Sequence, residues 1–357
     1  MINKEEIFHI ALWMPSWIGD VVLSLPALKS LRIIYPDSRI TAIVKSPTEQ
    51  LLSGHPALDS ILKFPSNKGD GFISQFNYAL GLRKYRFDLG IVFPNSFHSA
   101  FMLMLSGAKL RIGYRTDLRG VLLTHSIPVT RKEKISAYRV NYFHKILSPL
   151  NPGLVPDSYD PLWKTRIDKD FKDILLIMGI DKKDHIITIH PAASKSERTW
   201  HAERFGVLCQ KLLKQYSVKI ILLGTSKEKP LLEQIREFCP QENLSIVPEL
   251  NLGEITQLLK MSRLFIGNDS GMLHLASLAG TPVVGIYGPG NPGTSGPFVD
   301  TSKREIVTVN YACSPCRQNF FKECKPSPNH KPYCIEDISV NDVSEAVHRI
   351  IKRLALC

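Results

Sequence analysis

Two sets of residues have the types and spacing for group-transfer chemistry. The first is a lone carboxylate. Asp20 closes the stretch Met14-Pro-Ser-Trp-Ile-Gly-Asp20, between an apolar run at residues 7–13 and a helical pattern at residues 20–35. A carboxylate at a helix start is favoured by the backbone dipole, so a capping role accounts for it. Gly19 also lets a substrate come close, and Trp17 and Ile18 would partly desolvate Asp20 and tune it as a general base.

The second set is Gly267-Asn-Asp-Ser-Gly-Met-Leu-His274, a glycine-flanked loop that opens a helix. The amides of Ser270, Gly271 and Met272 would form an anion cradle, with His274 one turn further on. A second loop shaped for close approach follows, Tyr287-Gly-Pro-Gly-Asn-Pro-Gly293. A diphosphate between the two loops is one reading; tight structural turns, with His274 an ordinary helix residue, are the other. Neither loop matches the P-loop or the dinucleotide fingerprint.

These loops need scaffolds. Short apolar runs alternate with amphipathic stretches, which predicts parallel sheets covered on both faces. Strands are expected at residues 7–13, 39–45, 61–64, 89–93 and 110–113, with helices at 20–35, 71–84 and 97–106. Residues 151–166 are rich in Pro, Asp and Asn and read as a linker. The alternation then restarts. Strands are expected at 185–190, 218–223, 244–247, 264–267 and 282–287. Helices are expected at 203–216, 227–238, 252–261, 272–279 and 340–354. The chain therefore divides into a first domain (1–160), a second domain (161–340) and a closing helix (341–357). Ligands of such sheets bind beyond the carboxyl ends of the strands, where both loops fall.

The 357 residues fit two domains, and 44% hydrophobic with 22% charged residues argues against disorder. The net charge is +12. Residues 1–160 hold 19 basic and 12 acidic residues against 26 and 21 in the remainder, so the excess is denser in the first part. Eight basic residues lie between Lys109 and Arg139, opposed only by Asp117 and Glu133. Such a patch attracts phosphates, nucleic acid or an anionic membrane surface. No helix-turn-helix, zinc-finger or RNA-binding signature accompanies it, so nucleic acid is not the expected partner. No stretch is long and apolar enough to span a bilayer. Glu5, Glu6 and Asp20 are wrong for a signal peptide, so the chain is expected to stay in the cytoplasm.

The motifs are specific enough for a family comparison. Gly19-Asp20-Val-Val-Leu-Ser-Leu-Pro-Ala-Leu28, Gly267 to His274, and Gly280-Thr-Pro-Val-Val-Gly-Ile-Tyr-Gly-Pro289 resemble the heptosyltransferases of glycosyltransferase family 9. The likeness runs along almost the whole chain and is strongest to the second-heptose enzymes of the lipopolysaccharide inner core. It implies a GT-B fold, two Rossmann-like doubly wound domains facing across a cleft, with 1–160 the acceptor domain and 161–340 the donor domain. It also implies inverting transfer from ADP-heptose to a lipid A-core glycolipid, without metal or cofactor, and peripheral contact with the inner membrane. Asp20 matches the family's catalytic base. Asp269 matches its donor-sugar contact, Gly271 its phosphate-binding glycine, His274 the adjoining histidine and Glu228 its acidic residue near adenosine. Leu250 falls about where the adenine contact lies.

The family commonly has Lys-x-Trp and then Pro where this chain has Arg198-Thr-Trp200-His201. Arg198, with Lys195 and Ser270, is expected to hold the diphosphate. Charge alone assigns Arg111, Arg115 and Arg119 to the acceptor. Cys313-x-x-Cys316-x7-Cys324-x9-Cys334 has metal-like spacing at its first pair only, which leaves free thiols, a loop clasp or zinc open. Two other activities fit the same residues: a family 9 transferase for another nucleotide sugar, and a nucleotide-sugar isomerase or epimerase.

Overall fold

A computed structural model describes residues 2–66, 70–159, 175, 176, 179–181, 183–247, 249–314, 316 and 318–356. The chain forms two compact units, Met1–Arg166 and Ile167–Cys357. The boundary expected at residue 160 and the second part of the expected linker, residues 160–166, lie outside the described residues.

Unit 1 is built on six parallel strands: β1 His9–Trp13, β2 Arg39–Val44, β3 Ser60–Lys63, β4 Leu89–Val92, β5 Leu110–Tyr114 and β6 His125–Ile127. Their order is β3-β2-β1-β4-β5-β6. Unit 2 repeats the plan with β7 Ile186–His190, β8 Lys219–Leu222, β9 Leu244–Ile246, β10 Leu264–Asn268, β11 Val283–Tyr287 and β12 Arg304–Thr308, ordered β12-β11-β10-β7-β8-β9. Both are doubly wound sheets with a switch point, between β1 and β4 and between β7 and β10. The inner strands are buried along their length because helices cover both faces, hence their unbroken Ile, Val and Leu runs.

The helices that matter below are α1 Ile18–Ile34, α2 Glu49–Leu52, α3 Phe72–Gly81, α4 Phe97–Leu105, α5 Arg131–Ser136 and α6 Arg139–Lys145 in unit 1. In unit 2 they are α7 Ala202–Gln215, α8 Lys229–Phe238, α9 Leu252–Met261, α10 Gly271–Leu278, α11 Pro292–Ser295, α12 Tyr333–Glu336 and α13 Val340–Leu354. The closing helix α13 is not a separate element. Its Val343, Ala346, Val347 and Ile350 enter the core formed by β7, β8, β10 and α7.

Sequence and structure differ at a few elements. The helix expected over 71–84 ends at Gly81 and continues as a 3-10 turn, Leu82–Tyr85, into Arg86, which has a left-handed φ of 50°. Strands β6 and β12 are edge strands, and they escape the sequence reading because each is half-exposed with no continuous apolar run.

Candidate functional site

In unit 1 the site begins where β1 ends. Asp20 is the third residue of α1, not its cap; the cap position is Trp17, whose side chain makes no capping hydrogen bond. Trp17 is 71% exposed. Burial nevertheless pushes the Asp20 carboxyl above the ordinary range, and the positive field of Arg139 pulls against it. A carboxylate in that state is disposed to take a proton. Arg139 in turn lies over the Tyr142 ring at 5.3 Å, and Asn95, in the loop after β4, donates to the Tyr142 hydroxyl at 2.9 Å. The loop after β4 is thus tied through Tyr142 to Arg139, whose field reaches Asp20.

The three arginines expected to face an acceptor separate into different roles. Arg119 is fully buried. Its guanidinium donates to the carbonyls of Tyr114 (2.8 Å) and Pro94, which places it in the core and corrects the expectation that it faces ligand. Burial lowers its pKa to about 10. Arg111 donates to the carbonyls of Leu122 and Ala108, both at 2.7 Å, and so fastens β5 to the turn that follows. Only Arg115 has an exposed side chain. The reason is topological: Arg111 finds a carbonyl of the turn after β5, and Arg119, within that turn, finds carbonyls at the end of β5 and in the loop after β4, which local charge density does not reveal.

In unit 2 the loop after β10 carries Asp269, Ser270 and Gly271, and the loop after β7 carries Lys195 and Arg198. Arg198 Nη2 lies 2.5 Å from Asp269 Oδ2 and 2.5 Å from the Asp269 carbonyl. Asn268 joins the same loops: its side chain accepts from the Trp200 amide (3.1 Å) and donates to the Pro191 carbonyl (2.5 Å). Burial raises the Asp269 carboxyl and Arg198 draws it back down. His274 is buried, and burial first, then Arg198, lowers its pKa to about 4, so its ring is neutral at physiological pH.

In this unit four buried polar atoms have no hydrogen-bond partner among the described residues, Arg198 Nε itself with Ser270 Oγ, His274 Nδ1 and, at the end of β7, His190 Nδ1. Buried polar groups are almost always matched, and such a cluster marks a place built for a polar ligand. Ser270 holds the N-cap position of α10 without capping it, so the first amides of this helix keep their donors.

The glycine loop after β11 closes against the same carboxylate. A Cβ on Gly290 would run into Asp269 Oδ2. Gly290→Ala should therefore displace Asp269 from Arg198 and weaken binding of ADP, the nucleotide that the family resemblance implies, by about tenfold or more, the order of one lost charge-assisted contact. Titration calorimetry of the variant tests this; unchanged affinity would mean that the loop yields freely.

The remaining expected donor residues lie along the carboxyl edge. Glu228 follows β8, with Oε2 accepting from the Thr225 amide (2.8 Å) and standing 3.8 Å from His190 Nε2. Leu250 is buried beyond β9. Lys195 is exposed and turned away from the Arg198 pair, donating to the Gln318 carbonyl at 3.4 Å and lying over the Phe320 ring. His190 and Asn268 escaped the sequence reading. Their signal is a polar residue ending an otherwise apolar buried strand.

The cysteine segment braces this edge. Lys331 donates to the Ser196 carbonyl (2.5 Å), Trp200 Nε1 to the Ile338 carbonyl (2.8 Å) and His201 pairs with Glu336 (2.9 Å). Cys313, Cys316, Cys324 and Cys334 are free thiols. Burial, with Cys316, Cys313 and Cys324 beside it, pushes the Cys334 thiol up to about 12. Among the described residues no three His, Cys, Asp or Glu side chains are arranged to hold a metal ion.

The model of glycosyltransferase family 9 (heptosyltransferase) matches residues 76–325, more than half of the chain. The chain belongs to glycosyltransferase family 9. It is a glycosyltransferase with the two-domain GT-B architecture. It is 27% identical over 303 residues to lipooligosaccharide heptosyltransferase 2 of Haemophilus influenzae, covering 80% of this chain and 85% of that one. It is 25% identical over 297 residues to lipopolysaccharide heptosyltransferase 2 of Escherichia coli, covering 80% and 84%. The structure of E. coli ADP-heptose lps heptosyltransferase II superimposes with a TM-score of 0.78 at 19% identity, over 97% of this chain and 99% of that one.

Proposed function

We propose that this family 9 enzyme transfers L-glycero-D-manno-heptose from ADP-heptose to a heptose of the lipopolysaccharide inner core, with inversion, at the cytoplasmic face of the inner membrane. The observation that carries the donor half is the set of unmatched buried polar atoms around Arg198 and Asp269. It suits a ligand that is both anionic and rich in hydroxyls. A sugar at Asp269, a diphosphate at the α10 amides and Arg198, and a nucleoside towards Glu228 and Leu250 would follow the carboxyl edge from β10 to β9. The names of the relatives in Haemophilus influenzae and E. coli support heptose as the sugar.

In the reaction Asp20 takes the proton of the acceptor hydroxyl as that oxygen bonds to the anomeric carbon. The bond from that carbon to the diphosphate oxygen breaks on the opposite face, and ADP leaves with the electron pair. Helix amides and Arg198 stabilise the charge that develops on the diphosphate. Arg115 supplies the exposed positive charge on the acceptor side.

The test is transfer from ADP-heptose to a heptose-terminated inner-core acceptor. Arg115→Ala should raise KM for the acceptor by about tenfold, the order of one charge-assisted phosphate contact, with KM for the donor unchanged. Absence of transfer by the wild type would sink the reading of donor and acceptor. A panel of other nucleotide sugars in the same assay addresses the second reading, which Arg198 at the family's lysine position favours.

A further inference from the structure

Unit 1 exposes large apolar side chains on three elements that adjoin. Leu118 and Val121, in the 3-10 turn region Arg119–Leu122, are 90% and 87% exposed. Phe72 and Ile73 open α3 at 58% and 75%, and Phe97 opens α4 half-exposed. Their adjacency has a visible cause. Arg119 donates to the carbonyls of Pro94 and Ser96, and Thr116 to that of Asn95 (2.9 Å), which pins the turn to the start of α4. Phe101 of α4 stacks on both Phe97 (6.3 Å) and Phe72 (6.5 Å), which pins α3 alongside. Asp117 and Leu118 both have left-handed backbone, φ 47° and 59°, a conformation disfavoured for non-glycine residues that sets Leu118 outward.

Basic residues stand beside the Leu118 and Val121 turn, while Asp70 precedes Phe72 of α3. Arg115 lies under Gly120, and Arg131 and Lys132 are exposed on α5 together with Ile135. The acids of the same region are occupied: Asp117 by Lys134 at 3.6 Å and Glu133 by Lys145 at 2.5 Å. A chain of contacts runs from this face through Thr116, Asn95 and Tyr142 to Arg139, whose positive field reaches Asp20. A soluble protein rarely leaves so many large apolar groups together without use. Aromatic and aliphatic tips among basic residues match the water–hydrocarbon boundary of an anionic bilayer.

We propose that the face formed by Leu118, Val121, Phe72, Ile73 and Phe97, with Arg115, Arg131 and Lys132 around it, docks unit 1 on a bilayer carrying anionic phospholipid. It rests on the reading that the acceptor is a membrane glycolipid, and it names the surface that brings Asp20 to that lipid. The apolar tips enter the headgroup layer and the basic residues meet lipid phosphates.

The test is co-sedimentation of the intact protein with vesicles of phosphatidylethanolamine containing phosphatidylglycerol, compared with phosphatidylcholine alone. Wild type should partition onto the anionic vesicles and release with added salt. Leu118→Ser/Val121→Ser and Arg131→Glu/Lys132→Glu should each lower the partition coefficient by about tenfold or more. Both variants should melt like wild type and transfer normally to a lipid-free oligosaccharide acceptor, because these side chains are exposed and outside the reacting groups. Absence of wild-type partition, or wild-type partition by Leu118→Ser/Val121→Ser, overturns the proposal. So does a wild-type dimer that the same variant dissociates, which would assign the face to a second copy. Vesicle binding is read without turnover, so its loss leaves the transfer reaction standing, and failure of transfer leaves the docking face standing.

Discussion

Asp20→Ala should lower kcat by about a thousandfold, within the range that general-base residues contribute, while ADP binding stays at the wild-type value. The two effects separate because Asp20 belongs to unit 1 and the Arg198–Asp269 pair to unit 2. Single-turnover transfer and calorimetry on the same protein check both. Full activity in the variant would move the base elsewhere.

The pH profile sharpens this prediction. Asp20 accepts a proton only when ionised, and burial, opposed by Arg139, raises its pKa. The rate should therefore fall with decreasing pH through a value above the ordinary carboxylate range. Stability has the opposite sign. A carboxyl whose folded pKa exceeds its unfolded one destabilises the fold once pH passes the unfolded value, and contributes nothing well below it. Asp20→Asn should thus be more stable than wild type at neutral pH, with the difference vanishing in acid. A less stable Asp20→Asn at neutral pH would show that the carboxylate is held for structure.

Arg198→Ala carries the second large effect. Removing one member of a buried pair leaves Asp269 uncompensated, which costs about 3–5 kcal/mol, and takes the cation away from the diphosphate. ADP affinity should fall by about a hundredfold, the equivalent of one strong charge-assisted contact. Arg198 is the group that draws the Asp269 pKa down, so in the variant that pKa rises further. The stability deficit should grow as pH rises above the ordinary carboxylate range and shrink in acid, where Asp269 is protonated whether or not Arg198 is present. Arg198→Ala/Asp269→Ala should regain stability without regaining ADP affinity. Wild-type ADP affinity in either variant would remove the pair from the donor site.

Much of this site is legible along the chain. The loops around Asp20 and Gly267 stand out because glycine, a carboxylate and the start of a helix coincide just after a buried strand. Most strands are legible for a related reason: helices on both faces demand continuous Ile and Val runs. What does not show is which polar side chain the fold turns inward. Arg115 and Arg119 are four residues apart in one basic stretch, yet Arg119 fills a ring of carbonyls and Arg115 stays exposed. Lys195 and Arg198 are three apart in one loop, yet only Arg198 meets Asp269.

By itself, the order of apolar runs and glycine loops determined two doubly wound α/β units and the strand ends where chemistry is sought, because burial period and turn chemistry are local properties. The tertiary structure decided which cations face a ligand, that Gly290 closes on Asp269, and that four polar atoms around Arg198 are left unmatched. Those outcomes depend on carbonyls and carboxylates contributed by other strands, and no local pattern encodes the distance between residues that only the sheet brings together.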